Sequence, residues 1–326
     1  VNIAGAGDNV VTIPQLYGGT YTLFAHMLPK LGIEVRFAEN DSVAAVEKLI
    51  DSKTKAVFLE TIGNPAGNIV DIQKLSEIAH KHGIPVIVDN TVATPYLCKP
   101  FELGADIVVH SLTKYIGGHG TSIGGMIVDS GKFDWAGNKE RFAILNEPDP
   151  SYHGVVYTEA LGPAAYIGRC RVAPLRNTGA AISPMNSFQI LQGLETLGLR
   201  MERHCENAEK LAAYLQKHPK ISWVNYAALK DSEYNAACQK ITNGKASGIL
   251  SFGIKGGAEA GAQFIDALEM ILRLVNIGDA KSLACHPAST THRQLNEKEL
   301  AKAGVSADLV RISVGIENID DIIADV

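Results

Sequence analysis

The sequence predicts an α/β protein with a mostly parallel sheet domain over residues 1–190 and a smaller C-terminal α+β domain over 191–326. Three observations carry this expectation. Short Val- and Ile-rich runs bounded by Gly or turn residues recur early in the chain, as in Pro85-Val-Ile-Val-Asp89 and Ala105-Asp-Ile-Val-Val-His110, and read as fully buried parallel strands. Segments with helical apolar spacing separate them, giving a βαβ-type series. Past residue 220, strand-like runs near 223–228, 247–254, 273–277 and 309–315 alternate with helices near 260–272 and 318–325, the pattern of an α+β layer.

Taken in order, a strand at Asn9–Ile13 leads to a helix at Thr20–Leu31 stopped by Gly32. Strand Glu34–Ala38, helix Val43–Ile50 and strand Ala56–Glu60 follow. Asp71 can cap the next helix, on which Ile72, Leu75, Ile78 and Ala79 share a face before Gly83 ends it. Strands at 85–89 and 105–110 come next, then a loop flanked by Gly117-Gly118 and Gly124-Gly125, and a short strand Met126–Val128. Residues 133–177 are irregular and contain Pro148, Pro150 and Pro163; they read as an ordered insertion covering the site. Met201, Cys205, Ala208, Leu211 and Leu215 then mark a long helix bridging to the second domain.

With 46% hydrophobic and 20% charged residues the chain reads as an ordinary soluble protein. A net charge of -5 supplies no basic field for nucleic acid, and no apolar stretch approaches the ~18 residues of a membrane span. The five cysteines are scattered without CxxC, which reads as reduced thiols in the cytoplasm. His80 and His82 fall on different helix faces, so no metal site is expected. The opening, with Val1, Asn2, Gly5 and Gly7 ahead of strand-like sequence, is not that of a signal peptide and predicts a start further upstream.

The chemistry centres on Ser111-Leu-Thr113-Lys114. Two neighbouring strands would end in Asp89 and in this segment, at the carboxyl edge where open α/β sheets bind ligands. A lysine forced into so crowded a place has a depressed pKa and a nucleophilic amine. GxxxxGK[ST] is absent, which removes a phosphate-loop reading of Lys114, and GxGxxG is lacking after the first strand. An amine, a carboxylate and two hydroxyls suit pyridoxal 5'-phosphate (PLP), through a Schiff base, a counter-ion for the pyridine nitrogen, and hydrogen bonds to phosphate.

Val88-Asp89-Asn90-Thr91 and Gly104-Ala-Asp-Ile-Val-Val-His-Ser-Leu-Thr-Lys114-Tyr-Ile-Gly-Gly-His119 resemble the cysteine/methionine-metabolism family of PLP enzymes, of fold type I, most closely its O-acetylhomoserine sulfhydrylase branch. Tyr17-Gly-Gly-Thr-Tyr21, Glu60-Thr-Ile-Gly-Asn64-Pro65 and His286-Pro-Ala-Ser-Thr-Thr-His292 fit that branch in order. The resemblance implies PLP covalently on Lys114, with Asp89 at the pyridine nitrogen and Ser111 and Thr113 at the phosphate. Thr91 is placed with them as cofactor-binding. It implies Tyr17 stacked on the ring and aiding proton transfer, Asn64 at the ring oxygen or substrate, and Arg311 gripping the substrate α-carboxylate, with Asn276 lining that pocket. An arginine inside the apolar strand Leu309-Val-Arg-Ile-Ser-Val-Gly315 also needs an anion on physical grounds. The implied reaction is γ-replacement, in which O-acetylhomoserine and sulfide or a small thiol give homocysteine or methionine plus acetate. Methionine or cystathionine γ- or β-lyase and cystathionine γ-synthase are the alternatives within the family. A homotetramer with shared active sites is implied as well. In the family a Tyr and an Arg from a neighbouring subunit and a Ser-Gly loop complete the phosphate cup; no matching residues stand in this sequence, so the resemblance implies either an omitted amino-terminal segment, the favoured reading, or a fragment with a crippled cofactor site.

Overall fold

The computed structural model describes residues 1–287, 290 and 306–326. Six strands form the first sheet: β1 (Asn9–Thr12), β2 (Glu34–Phe37), β3 (Thr54–Glu60), β4 (Val86–Asp89), β5 (Ile107–Ser111) and β6 (Gly125–Asp129). Their order is β2-β1-β3-β4-β5-β6, parallel except for β6, which runs antiparallel to β5. The chain moves from β1 outward to β2 and then back to β3 on the other side, so a crevice opens at the carboxyl ends of β1 and β3. Val57, Leu59, Val86 and Val88 are fully buried, each contributing about 1.5–3 kcal/mol on transfer from water. Apolar residues on both faces of a strand demand cover on both sides, and the sheet has it.

The helix between β3 and β4, Ile72–Lys81, is capped by the Asp71 carboxylate, which accepts from Lys74 N at 3.3 Å; it buries Ile72, Leu75 and Ala79. Gly83 turns out of it at φ +65°, a left-handed conformation that suits glycine. The segment expected as one helix over 20–31 is an α-turn (Gly18–Thr22), a π-turn (Leu23–Met27) and a 3-10 turn (Leu28–Leu31) in succession. Pro29 lacks the N–H that a continuing α-ladder would use.

Residues 133–177, expected as an ordered insertion covering the site, are ordered but pack on the first sheet. They contain short helices, among them Ala143–Asn146, Tyr157–Leu161 and Ala165–Cys170. Trp135, Phe142, Tyr157 and Tyr166 gather into an apolar cluster with Ala56 and Ile107, so the segment covers a face of the first sheet. Helix Pro184–Glu195 then packs beside the long helix Leu197–Leu215, and the junction expected near residue 190 falls inside the former.

The second sheet is formed by β7 (Ile221–Asn225), β8 (Ile249–Ile254), β9 (Leu272–Arg273), β10 (Leu283–Cys285) and β11 (Leu309–Ser313), in the order β7-β8-β11-β10-β9. All its pairings are antiparallel except that of β9 with β10, which agrees with an α+β layer. The strand expected over 273–277 is only two residues long, and β10 was not expected. Among the described residues no helix is long and apolar enough to cross a membrane.

Candidate active site

Strand register builds the site. Glu60 lies opposite Asp89 on the last paired rung of β3 and β4, and Asp89 lies opposite Val109 on β5, two residues before Ser111. Thr91 stitches these ends together: its N–H donates to Asp89 Oδ1 at 2.9 Å, while its Oγ1 accepts from Ser111 N at 2.8 Å. Burial pushes the Asp89 carboxyl above its usual range, against the hydrogen bonds from Thr91. Among the described residues no lysine or arginine forms an ion pair with it, which is the environment of a carboxylate reserved for a cation.

Lys114 follows the end of β5 and is half-buried. Its Nζ donates to Asn276 Oδ1 across the gap between the two sheets. Burial lowers its pKa, and the nearby Arg311 cation lowers it further. Thr113 Oγ1 accepts from Gly124 N at 3.2 Å, closing the glycine-rich loop, and Ser111 lies half-buried beside it.

Arg311 is 7% exposed on β11. Its Nη1 donates to Asn64 Oδ1 at 3.2 Å; Nη2 donates to Asn276 O at 3.3 Å and to Val275 O. Its Nε is buried and unpartnered, and no carboxylate among the described residues forms an ion pair with it. A guanidinium with a free buried donor is stabilised by an anionic partner. Asn64, Asn276, Lys114 and Arg311 are thus brought together by hydrogen bonds, and Asp89, Thr91 and Ser111 form a second connected group. Tyr17 is half-exposed at the carboxyl edge beyond β1, its N–H donating to Glu60 Oε1 at 2.7 Å.

Sequence reasoning passed over Glu60 except as part of a motif. It is buried, and burial first, then the Asp89 charge, raise its pKa well above the ordinary value. Its position at a strand end two residues before Ile62 carried a signal, but only the register reveals that it faces a second carboxyl. The expected motif 286–292 lies largely outside the described residues; His286, within them, hydrogen-bonds Ala307 O at 2.8 Å.

The fold and site define a class: an α/β enzyme with a half-buried amine, a carboxyl at an adjacent strand end that no lysine or arginine among the described residues pairs with, and a buried arginine with a free donor, a donor set that fits PLP and an amino acid. The family model described as Cys/Met metabolism PLP-dependent enzyme matches residues 1–326. A homocysteine synthase of Schizosaccharomyces pombe is 51% identical over 324 residues, 99% of this chain and 76% of the relative. An O-acetyl-L-homoserine sulfhydrylase of Leptospira meyeri is 51% identical over 334 residues, 100% of this chain and 75% of its own length. Among solved structures, a protein of Campylobacter jejuni carrying N'-pyridoxyl-lysine-5'-monophosphate aligns with TM-score 0.96 and 46% identity over 99% of this chain and 77% of that one. The O-acetylhomoserine sulfhydrylase of Wolinella succinogenes aligns with TM-score 0.82 and 38% identity, over 99% and 85% of the two chains. This chain belongs to the Cys/Met metabolism PLP-dependent enzyme family and has its fold type I architecture.

Proposed function

We propose that this chain catalyses γ-replacement on O-acetylhomoserine, exchanging acetate for sulfide or a small thiol to give homocysteine or methionine, with PLP held covalently on Lys114. The observation that carries this is the Lys114–Asn276–Arg311–Asn64 chain of contacts, which sets a nucleophilic amine beside a guanidinium with a free donor. Relatives about half identical to this chain are named for that synthesis.

When bound, PLP supplies an electron sink that stabilises negative charge at the substrate's Cα. Asp89 holds the proton on the pyridine nitrogen that keeps the sink effective. Arg311 grips the α-carboxylate and Asn64 orients its guanidinium, so the Cα proton faces the Lys114 amine. That amine, its pKa lowered by burial, would take the proton from Cα, pass it on to the bound cofactor and, neutral again, take a proton from Cβ; one flexible base reaches both carbons. Loss of the Cβ proton would let acetate leave Cγ with the C–O electron pair; hydrosulfide would then add at Cγ, with protons returned to Cβ and Cα. Tyr17, at the mouth of the crevice, would pack against the bound cofactor and aid proton transfer, while Ser111, Thr113 and Thr91 would hold its phosphate end.

We further propose two domains, 1–190 and 191–326, with the site between their sheets, in a homotetramer that shares active sites. The helix Pro184–Glu195 supports assembly, because Met185, Phe188 and Leu191 are exposed along it. The test is to incubate purified protein with O-acetylhomoserine plus sulfide and, separately, with methionine or cystathionine. Homocysteine formation in the first mixture outpacing α-keto acid release in the others supports replacement; the reverse order makes the protein a lyase.

A further inference from the structure

We propose that Arg200 is a positioning residue for Lys114 and that, with His204 and Asn207 on the same helix, it fixes the amine relative to Arg311. The inference rests on the roles of Lys114 and Arg311 given above and adds what holds them in place.

Arg200 is 5% exposed on the helix Leu197–Leu215, and among the described residues no carboxylate forms an ion pair with it. Its donors go instead to oxygens without charge. Nη1 donates to Tyr115 O at 2.6 Å, Nη2 to Ile116 O at 3.3 Å and to Gly193 O at 2.5 Å, and Nε to Thr196 Oγ1 at 3.1 Å. Burying a guanidinium with no counter-ion is unfavourable unless its donors find acceptors, and two of the four oxygens used here belong to the two residues immediately after Lys114. Gly118 closes the same segment at φ +72°, where an added Cβ would stand 2.3 Å from Arg200 Nη1.

One turn further along the helix, His204 Nδ1–H donates to Val314 O at 2.7 Å, and its ring stands edge-on to Tyr115 with centroids 5.1 Å apart. Asn207 Nδ2 then donates to Gly315 O at 3.0 Å and to Glu317 O at 2.9 Å. Val314 and Gly315 come directly after β11, the strand that carries Arg311. Residues 200, 204 and 207 lie at helical spacing on one face. That single face therefore holds the backbone following the amine and the backbone following the guanidinium. Proton transfer at two adjacent carbons of a substrate anchored by its carboxylate depends on this separation, and a displacement of 1 Å can cost on the order of 100-fold in rate.

The test uses four holoenzyme variants: Arg200→Lys, Arg200→Met, His204→Phe, and Leu211→Ala as a control in the buried face of the same helix. Arg200→Lys keeps the charge and loses the fork. It should retain the visible absorption of lysine-bound PLP while kcat per loaded site falls roughly 10- to 100-fold with KM changed less, and the pH at which the band titrates should move from that of the parent. His204→Phe should show the same pattern more weakly. Leu211→Ala should lower the melting temperature and leave kcat per loaded site unchanged. If Arg200→Met does not fold, Arg200→Lys and His204→Phe carry the test. Parent-like kcat and titration in both overturns the proposal alone, whereas a parent protein without the Lys114-linked band overturns the reading of Lys114 and this proposal with it.

Discussion

Glu60 and Asp89 are two acids on neighbouring strand ends whose surroundings give them different work. Among the described residues no lysine or arginine pairs with Asp89; Glu60 is desolvated beside it and accepts from Tyr17 N, so a proton on Glu60 relieves both burial and repulsion. Because its folded pKa is raised, its contribution to stability is fully present below the unfolded value near 4.5 and is lost as pH rises toward the folded value. Glu60→Gln should therefore melt progressively higher than the parent as pH increases above 5, measured by thermal scans across pH, and parallel curves would sink the assignment of a proton to Glu60. Asp89→Asn tests the other acid. A carboxylate about 4 Å from a ring cation is worth about 4 kcal/mol at an effective dielectric near 20, before desolvation. At about 1.4 kcal/mol per decade, kcat should fall by roughly 100- to 1000-fold while borohydride-reducible cofactor stays on Lys114. A smaller loss than tenfold would remove Asp89 from the pyridine nitrogen. These side chains differ in how far sequence discloses them. Lys114 and Asp89 announce themselves by standing at the ends of Val/Ile runs, and Arg311 by interrupting one. Arg200 gives no such sign, since the partners that tie it to the lysine segment are backbone carbonyls some 80 residues away whose identity no side chain encodes.

Elements whose determinants are local were readable, and those held by distant partners were not. Helix Ile72–Lys81 has its cap, its apolar face and its stop within thirteen residues, so its bounds follow from the sequence. Asp71→Ala should cost about 1 kcal/mol in urea unfolding. The Asp71 carboxyl is held below its usual range by its bonds to Lys74, against burial, so the difference should be present near neutrality and shrink as pH falls through the carboxylate range. Helix Pro184–Glu195 escaped notice because it opens on a proline, carries Gly193 and exposes much of its apolar content to solvent. Gly193 has a reason to be there. An added Cβ would stand 2.1 Å from Gly117 O, a backbone atom of the loop that follows Lys114. Gly193→Ala should force helix and loop apart at about 1–3 kcal/mol, with kcat falling alongside stability. Unchanged melting and turnover would mean that the two backbones separate freely. The fold of 133–177 was unreadable for the opposite reason: its aromatic residues pack on Ala56 and Ile107, far away in the chain, and nothing within the segment fixes their order.

At the scale of the whole molecule the same helix joins two questions, what holds Lys114 and what covers the exposed apolar stripe. Its inner side meets the lysine loop at Gly117 and supplies Gly193 O to Arg200, while Met185, Phe188 and Leu191 face outward at 65%, 59% and 57% exposure. Scattered surface apolar residues need no explanation, but several at three-residue spacing along one helix form a contiguous patch of the kind that pairs with another surface. A second copy of the chain presents an equivalent stripe, and cover supplied by it would press the helix against the loop that carries the reactive amine. Assembly and catalysis should then fail together. Phe188→Glu combined with Leu191→Glu places two charges in the stripe without altering any group assigned to the site. Light scattering should show a smaller species than the parent at equal concentration, and kcat per loaded site should drop while absorption by lysine-bound PLP persists. A parent that is already monomeric sinks assembly through this face. A smaller species with undiminished kcat would leave the assembly and break its link to the Lys114 loop.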